Sequence, residues 1–332
     1  MPPRPRRHAR PLSPANVAAR MSRPSRPRIS VVVPTRDRPL ALARCLDALD
    51  AQSVADQLEI LVVDDGSVAA SVVSSVVARH ARARLIRLPG AGPAGARNAG
   101  GRAARGSVLC FTDDDCVPLH DWAEELAEVL QHGADAAAGT TMAGRGALAE
   151  ASELVAHAPA HSSSGGAVDL QFAPSNNLAV AKAVFESAPF DESYPHAAGE
   201  DREWCARVLA SGHVLRSAPR AVLVHDQELT PRTFLRQQLR YGDGAYRFRR
   251  RGSDRRPLES PGFYLALVER AFTRGIRVGL LVCAAQLATA AGFVGAWARE
   301  RRADSSVRAR LDASSTSRLR ALRARLARPR RT

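Results

Sequence analysis

The chain has 332 residues, 45% of them hydrophobic, so it can bury a substantial core in one large α/β domain or in two smaller ones. Its net charge of +15 would suggest a nucleic-acid-binding protein if the charge were spread along the fold. However, residues 1–28 carry eight Arg and no acid, and residues 299–332 carry twelve Arg and three acids. The segment between these ends is close to neutral, so we expect no nucleic acid as a partner.

The two ends of the chain, residues 1–27 and 301–332, are rich in Arg and small residues, and we predict that both are disordered. Anionic lipid headgroups are a more natural partner for them than nucleic acid. The five cysteines form no Cys-x-x-Cys pair and lie mostly in apolar runs, which indicates buried thiols in a reducing cytoplasm. We also expect no signal peptide, because the N-terminus lacks an apolar segment.

The first part of the chain alternates apolar runs with helical patterns. The runs that predict strands are residues 29–33, 58–63, 84–88 and 107–111. Helices are predicted from Pro39, after Ser67 and around Arg97. This alternation is typical of a doubly wound, mostly parallel sheet.

Acidic residues follow three of these strands at their carboxyl ends, where open α/β sheets bind ligands. Asp37 follows the first strand, Asp65 the second, and Asp113-Asp114-Asp115 the fourth. Three adjacent carboxylates repel one another, and Mg²⁺ or Mn²⁺ held by them and by substrate phosphates would offset that repulsion. For the triple Asp alone, the alternative is a solvated turn that caps the next helix.

Periodicity is weak from residue 133 to 166, which predicts a flexible connection or a substrate-facing loop. His157 and His161 are expected to be solvated residues of that loop. Residues 172–180 then predict a strand and turn around Asn176 and Asn177.

A helix is predicted for residues 202–210, directly after Glu200 and Asp201. These two acids either favour the helix dipole or include a general base, and the residues leave both interpretations open. A strand over residues 213–224, with a break at Pro219, ends at His225. An Arg-rich helix follows from Pro231, and it is either solvated, in contact with lipid, or a source of phosphate contacts.

Residues 278–297 carry no formal charge and are flanked by arginines on both sides. Twenty residues are the minimum for a spanning helix, but the many Ala and Gly make this one weakly hydrophobic. We favour a helix that lies at an anionic membrane surface on the cytoplasmic side. A spanning helix and a buried core helix remain alternatives.

Taken together, the motifs resemble glycosyltransferase family 2, with its GT-A nucleotide-sugar-binding fold, over roughly residues 28–250. The stretches that carry the resemblance are Val31-Val32-Val33-Pro34-Thr35-Arg36-Asp37, Val63-Asp64-Asp65-Gly66-Ser67, Gly95-Ala96-Arg97-Asn98-Ala99-Gly100, Phe111-Thr112-Asp113-Asp114-Asp115, Ser175-Asn176-Asn177-Leu178, Gly199-Glu200-Asp201 and His225. Each is weak alone, and seven in the expected order are a specific signal.

The resemblance implies a set of roles for the site residues. The implied nucleotide-sugar contacts come from Pro34, Thr35, Asp37, Asp65, Arg97, Asp113, Asp114 and Asn177. Asp115 would coordinate Mn²⁺ or Mg²⁺, with Asp113 beside the metal and His225 as a further metal or diphosphate contact. Asp201 would be the catalytic base, and Glu200 is the next candidate.

The implied function is that of an inverting glycosyltransferase, which moves one sugar from a nucleoside-diphosphate sugar to a lipid-linked or cell-surface glycan. Residues 28–230 would form the GT-A domain, and residues 231–300 a helical, membrane-associating region. The alternatives are a nucleotidyltransferase and a non-catalytic carbohydrate- or membrane-binding module on the same fold. The first would normally show a Gly-rich basic loop after the first strand, whereas this chain has Pro34-Thr35-Arg36-Asp37-Arg38-Pro39.

Overall fold

A computed structural model describes residues 28–164, 169–194, 198–251 and 259–326. Within these residues eight strands form one sheet: β1 (Ile29–Thr35), β2 (Leu58–Asp64), β3 (Ala83–Arg87), β4 (Val108–Thr112), β5 (Cys116–Pro118), β6 (Ala136–Ala143), β7 (Asn177–Ala181) and β8 (Leu215–His225). The helices are α1 (Pro39–Asp50), α2 (Ala70–Val77), α3 (Gly92–Ala103), α4 (Trp122–Gln131), α5 (Ala147–Ser164), α6 (Lys182–Ser187), α7 (Glu200–Ala210), α8 (Pro231–Arg251), α9 (Pro261–Thr273) and α10 (Ile276–Leu326). The tail over residues 1–27, for which we predict disorder, lies outside the described residues.

The strand order is β3-β2-β1-β4-β7-β6-β8-β5. The first four strands are parallel, as the alternation of strands and helices predicts. β7 is antiparallel to both of its neighbours, β8 is parallel to β6, and β5 is antiparallel to β8. The sheet is therefore mixed, with a parallel half that carries the first three acidic clusters at one edge.

Alternate residues of the central strands face two separate cores. Val31 and Val33 of β1 pack into one hydrophobic cluster with α1 and α4, while Val32 packs into the other with α3 and α7. The two-residue period of a strand explains this division, because successive side chains point to opposite faces of the sheet. Helices on both faces bury the apolar β1 run completely, as a parallel sheet requires.

A third cluster joins α5, α8, α9 and α10. Its buried members include Ala151 of α5, Phe234 of α8, Leu267 of α9 and Val282 of α10. The region 231–300, predicted to be helical, is thus packed against α5 where it is described. α10 is helical to Leu326, which extends into the segment 301–332 whose composition predicts disorder.

The prediction of a loop for residues 133–166 is wrong, because this segment contains β6 and all of α5. β6 reads Ala-Ala-Ala-Gly-Thr-Thr-Met-Ala, so it has few of the large β-branched residues that mark a strand. The small residues have a packing reason: a Cβ on Gly139 would lie 2.3 Å from the carbonyl oxygen of Ala221 on β8. His157 is also not a solvated loop residue, since it lies in α5 with its side chain 13% exposed. The side chain of His161 lies outside the described residues.

Candidate active site

The carboxyl ends of β1, β2 and β4 meet at one edge of the sheet. Thr35 pairs with Asp64 in the register of β1 and β2, and the Asp113-Asp114-Asp115 turn follows β4 next to them. The three consecutive aspartates form a tight turn, so their side chains reach three different neighbours.

Asp114 points into the protein and is 4% exposed. Its carboxylate accepts hydrogen bonds from Thr35 Oγ1 at 2.8 Å and from Arg38 Nη1 at 3.0 Å. Burial, reinforced by the charges of the two flanking aspartates and opposed by Arg38 and Thr35, raises the pKa of Asp114 to about 7. Asp114 therefore ties the turn to β1 and α1 rather than facing solvent.

Asp113 points toward α3, where the buried guanidinium of Arg97 holds it. Arg97 Nη2 donates to Asp113 Oδ1 at 2.7 Å, and Arg97 Nη1 donates to Glu200 Oε1 at 3.2 Å. One arginine thus joins the end of β4 to the start of α7, which lies 103 residues from it in the sequence. A planar guanidinium can serve two carboxylates at once, which an ammonium group does poorly.

The start of α7 presents two acids in different environments. Gly199 precedes the helix with φ at +93°, a conformation that favours glycine. Glu200 is 3% exposed and lies against Arg97, whereas Asp201 is partly exposed. Burial and the charge of Asp201, opposed by Arg97, raise the pKa of Glu200 to about 7, and burial raises the pKa of Asp201 against the opposing charge of Arg97.

Asp115 faces His225 at the end of β8. Asp115 Oδ1 lies 3.2 Å from His225 Nε2, and Arg38 Nη1 donates to Asp115 Oδ2 at 2.8 Å. Burial opposes ionisation of Asp115, but the hydrogen bond and charge of His225, together with Arg38, outweigh it and lower the pKa of Asp115 to about 2. The β5–β8 pairing places them together, because Cys116 is the register partner of His225.

On its other side, His225 is held by Glu153 of α5. His225 Nδ1 hydrogen-bonds to Glu153 Oε1, and His157 Nδ1 lies 2.7 Å from Glu153 Oε2. Burial would lower the pKa of His225, but hydrogen bonds to Asp115 and Glu153 raise it to about 10. Without a metal, the two carboxylates therefore favour the protonated imidazole.

The residues at Asp115 fit a divalent cation. Ligand atoms of Asp115, Cys116 and His225 lie within 4.8 Å of one another. Burial holds the pKa of the Cys116 thiol well above its usual range, so a carboxylate and an imidazole are the available donors. Oxygen donors suit Mg²⁺ and Mn²⁺, and a carboxylate behind a ligating histidine is the usual second partner of such a ligand.

The predicted nucleotide contacts from the first two strands build the loops of this edge. The Asp37 amide donates to Ser67 Oγ at 2.8 Å, and Asp37 Oδ1 accepts from the Val68 amide at 2.7 Å. Asp37 has φ at +56°, which is uncommon outside glycine and is held here by both bonds. These bonds join the loop after β1, which follows Pro34 and Thr35, to the loop after β2.

Asp65 is engaged at both carboxylate oxygens. They accept from the amides of Ala91 at 2.5 Å and Gly92 at 2.9 Å, at the start of α3. Asn177 also faces the protein, because it is fully buried, accepts from Trp122 Nε1 at 2.8 Å and donates to Thr141 Oγ1 at 3.3 Å. Among the described residues, the side chains of Asp65 and Asn177 thus bind protein groups.

Two residues at this site, Arg38 and Glu153, are not predicted from the sequence. Arg38 follows Asp37 directly, and no pattern indicates that its side chain would reach Asp114 and Asp115, more than seventy residues away. Glu153 lies in the segment predicted to be a loop. Recognising α5 as a helix would have placed Glu153 and His157 on one face, four residues apart.

The chain is similar to known proteins in sequence and in fold. The family model described as Glycosyl transferase family 2 matches residues 30–164, which include the first three strand-end clusters. Over this segment the chain is similar to glycosyltransferase family 2.

Curated relatives and a solved structure extend the comparison. The chain is 29% identical over 239 residues to the pre-mycofactocin glycosyltransferase of Mycobacterium tuberculosis, covering 68% of this chain and 48% of that protein. It is 35% identical over 91 residues to the uncharacterized glycosyltransferase EpsJ of Bacillus subtilis, covering 27% of this chain and 26% of that one. The chain thus spans about half the length of the first relative and a smaller share of the second.

A mannosyltransferase from Pyrobaculum calidifontis, solved in complex with GDP-Man and Mn²⁺, superposes with a TM-score of 0.54. The match covers 85% of this chain and 80% of the mannosyltransferase, at 20% sequence identity. This likeness shows the fold, and the predicted GT-A type is confirmed.

Proposed function

We propose that this protein transfers one sugar from a nucleoside-diphosphate sugar to a hydroxyl group, with inversion at the anomeric carbon. The observation that carries the proposal is the bridge through Arg97, which joins Asp113, directly after β4, to Glu200 at the start of α7, next to Asp201. Inverting transfer needs a place for the leaving diphosphate and a base for the acceptor on opposite sides of one pocket, and it needs no protein nucleophile. The match of residues 30–164 to the family model and the fold shared with the mannosyltransferase support this proposal.

On the diphosphate side, Asp115 and His225 would hold Mn²⁺ or Mg²⁺, with Asp113 beside them. The cation supplies positive charge for the leaving diphosphate. Arg97 adds a fixed positive charge behind Asp113, which would help to balance the charge of a donor diphosphate at this edge of the sheet. Asp114 supports the same turn from inside the protein.

On the acceptor side, Asp201 is the better base. Glu200 is almost fully buried and its carboxylate is occupied by Arg97, so it orients the arginine. Asp201 is partly exposed at the helix start, and its raised pKa makes it a stronger base than a free aspartate. A hydroxyl group of the acceptor would therefore donate its proton to Asp201.

The first test is the release of nucleoside diphosphate from UDP-, GDP- and dTDP-sugars with Mn²⁺ or Mg²⁺, with donor binding followed by calorimetry. Wild type should turn over or bind one donor in a metal-dependent way. Asp115→Ala should lose the metal-dependent binding and turnover of the donor. Asp201→Asn should bind the donor normally but turn it over about 10²- to 10⁴-fold more slowly. Asp121→Ala, at a 63% exposed carboxylate, is the matched control. If no donor binds in the presence of metal, a non-catalytic module replaces the transferase.

We further propose that the acceptor is a lipid-linked or surface glycan, reached at the inner face of the cell membrane. α10 carries a candidate span, Ile276–Arg302, by length and composition. Its exposed apolar residues, Ile276, Leu280, Leu287 and Val294, are 57–74% exposed and are spaced four or seven apart. That spacing places them on one face of the helix.

The opposite face of α10 is buried in the protein, which favours a helix that lies along the membrane. Val278, Val282 and Ala285 pack into the cluster with α5, α8 and α9, and a Cβ on Gly292 would lie 2.1 Å from the carbonyl oxygen of Leu239. A spanning helix would have to leave these contacts. The arginines that flank the uncharged residues 278–297 would meet anionic headgroups: Arg270, Arg274 and Arg277 before this stretch, and Arg299, Arg301 and Arg302 after it.

Flotation with vesicles tests this contact. Wild type should float with vesicles that contain phosphatidylglycerol, float less with phosphatidylcholine alone, and be released by high salt. Leu287→Glu should weaken flotation strongly, whereas Val72→Glu, at a 46% exposed position of α2, should not. Binding that survives both salt and alkaline extraction would indicate a spanning helix, and no flotation at all would remove the membrane from the proposal.

A further inference from the structure

A buried carboxylate of α5, Glu153, lies between two imidazoles behind the candidate metal site. Glu153 is 7% exposed, and its two oxygens face different partners. Oε1 contacts His225 Nδ1, and Oε2 lies 2.7 Å from His157 Nδ1. Neither Glu153 nor His157 has a role in the donor or base chemistry described above.

The geometry around His225 assigns a purpose to this carboxylate. A histidine has two ring nitrogens, and the hydrogen bond made by one decides which atom of the ring is left to bind a cation. Because Glu153 engages Nδ1, the Nε2 atom is turned toward Asp115, 3.2 Å from its Oδ1. The amide nitrogens of Gln227 and Asn176 also lie near the ring, at 2.7 Å from Nε2 and 3.4 Å from Nδ1. A nitrogen donor from an amide cannot fix Nδ1 in its protonated form, whereas a carboxylate can.

His157 lies beside the second oxygen of this carboxylate. It lies one helical turn after Glu153 on the same face of α5, and its side chain is 13% exposed. The chain of contacts His157–Glu153–His225–Asp115 therefore runs from α5 through the end of β8 to the turn after β4. α5 also packs on α8, α9 and α10, so contacts outside the candidate metal site hold the helix in position.

We propose that Glu153 is a positioning residue, which orients His225 so that its Nε2 atom faces a divalent cation shared with Asp115. This inference rests on the metal site of the proposed function and deepens it by naming the group behind the ligand. The competing explanation is a tie between α5 and β8 that affects stability alone. The two differ in what happens to metal affinity when the protein stays folded.

The test is a Mn²⁺ titration by electron paramagnetic resonance, alone and with UDP, GDP or dTDP, whichever nucleotide the donor panel selects. Glu153→Leu should weaken Mn²⁺ binding by about 10- to 100-fold, the usual effect of removing such a partner. Glu153→Gln should weaken it less, because its amide oxygen still accepts from Nδ1–H. Glu150→Gln is the matched control, one turn earlier on α5, where Glu150 pairs with Arg274 at 3.3 Å near the surface. Thermal melting of each variant without metal measures the stability effect separately.

The outcomes separate the two proposals. A lower melting temperature with Mn²⁺ affinity within threefold of wild type in both Glu153 variants would overturn the positioning role and leave the metal site standing. Wild type that binds no Mn²⁺, with or without nucleotide, would overturn the metal site and the positioning role together. A Mn²⁺ affinity that falls in Glu153→Gln, falls further in Glu153→Leu and is unchanged in Glu150→Gln supports the role of Glu153.

Discussion

Replacing Arg97 by leucine tests whether its guanidinium holds the site together. Arg97 is 3% exposed, and it donates to Glu200, which is about equally buried, and to Asp113, whose side chain is 32% exposed. Water can replace the lost partner at Asp113 but not at Glu200. Breaking a buried ion pair destabilises a protein by about 3–5 kcal/mol, which is a large part of the roughly 5–15 kcal/mol that holds a domain folded.

The loss of stability should depend on pH in a defined direction. Burial and the charge of Asp201 already raise the pKa of Glu200 to about 7, and Arg97 opposes that rise. Without Arg97 the pKa of Glu200 rises further, so the carboxyl group is neutral at pH 5.5 and needs no cation there. At pH 8.5 the folded variant must either ionise Glu200 without a partner or keep it protonated, and both lower the free energy of unfolding relative to wild type. The difference between wild type and Arg97→Leu should therefore be larger at pH 8.5 than at pH 5.5.

Urea denaturation at the two pH values, followed by tryptophan fluorescence in metal-free buffer, measures this difference. Trp204 is a useful probe because it is buried on α7, four residues after Glu200. Arg207→Leu is the control: Arg207 pairs with Glu203 on the same helix at 2.8 Å with its side chain 35% exposed, so its loss should be about 1 kcal/mol or less. A loss below about 1 kcal/mol for Arg97→Leu at pH 8.5, or an equal loss at both pH values, would refute the reasoning.

Three further results are expected. Asp114→Asn should gain stability relative to wild type as pH rises from 5 to 8 in metal-free buffer. The pKa of Asp114 is about 7 in the folded protein and 3.8 in a free aspartate, so ionisation of this carboxyl group opposes folding as pH rises. A constant difference in unfolding free energy between the two proteins across this pH range would contradict the prediction. Gly100→Ala should lose about 1–3 kcal/mol in urea melts, since its Cβ would lie 2.3 Å from Val32 Cγ1, whereas Gly262→Ala, with its nearest atom at 3.7 Å, should not. Cys283, which is partly exposed, should react with a thiol reagent in the native protein, and the four buried thiols should react only after unfolding; rapid reaction of several thiols would show a looser core.

The parallel half of the sheet could be predicted because local signals agree with tertiary structure there. β-branched runs such as Val31-Val32-Val33 favour buried strands, and each strand end carries an acidic or polar turn at a fixed edge. The relation between Asp37, Asp65 and the triple Asp therefore follows from topology. The roles of the site residues themselves, including Asp201 as base, stay predictions.

The second half of the fold resisted prediction for a physical reason. β6 and α5 consist largely of alanine and other small residues, and small side chains carry little periodic signal. The need for them arises only in three dimensions, where Gly139 lies against β8 and Asn177. Contacts such as Glu153 with His225 join residues 72 apart, and no local pattern encodes them.

The turn formed by the three aspartates depends both on the local sequence and on contacts with residues distant in the sequence. Its three carboxylates would repel one another if they shared one environment, but each faces a different cation: Arg97, Arg38 and His225. A guanidinium keeps its proton at any accessible pH, so the arginine partners can only be displaced. An imidazole can instead lose its proton and become a ligand as a metal binds. This difference in partner supports Asp115, rather than Asp113 or Asp114, as the main metal ligand. Arg38 also contacts Asp115, but its side chain is 54% exposed and can move into solvent, whereas His225 is held in place by Glu153.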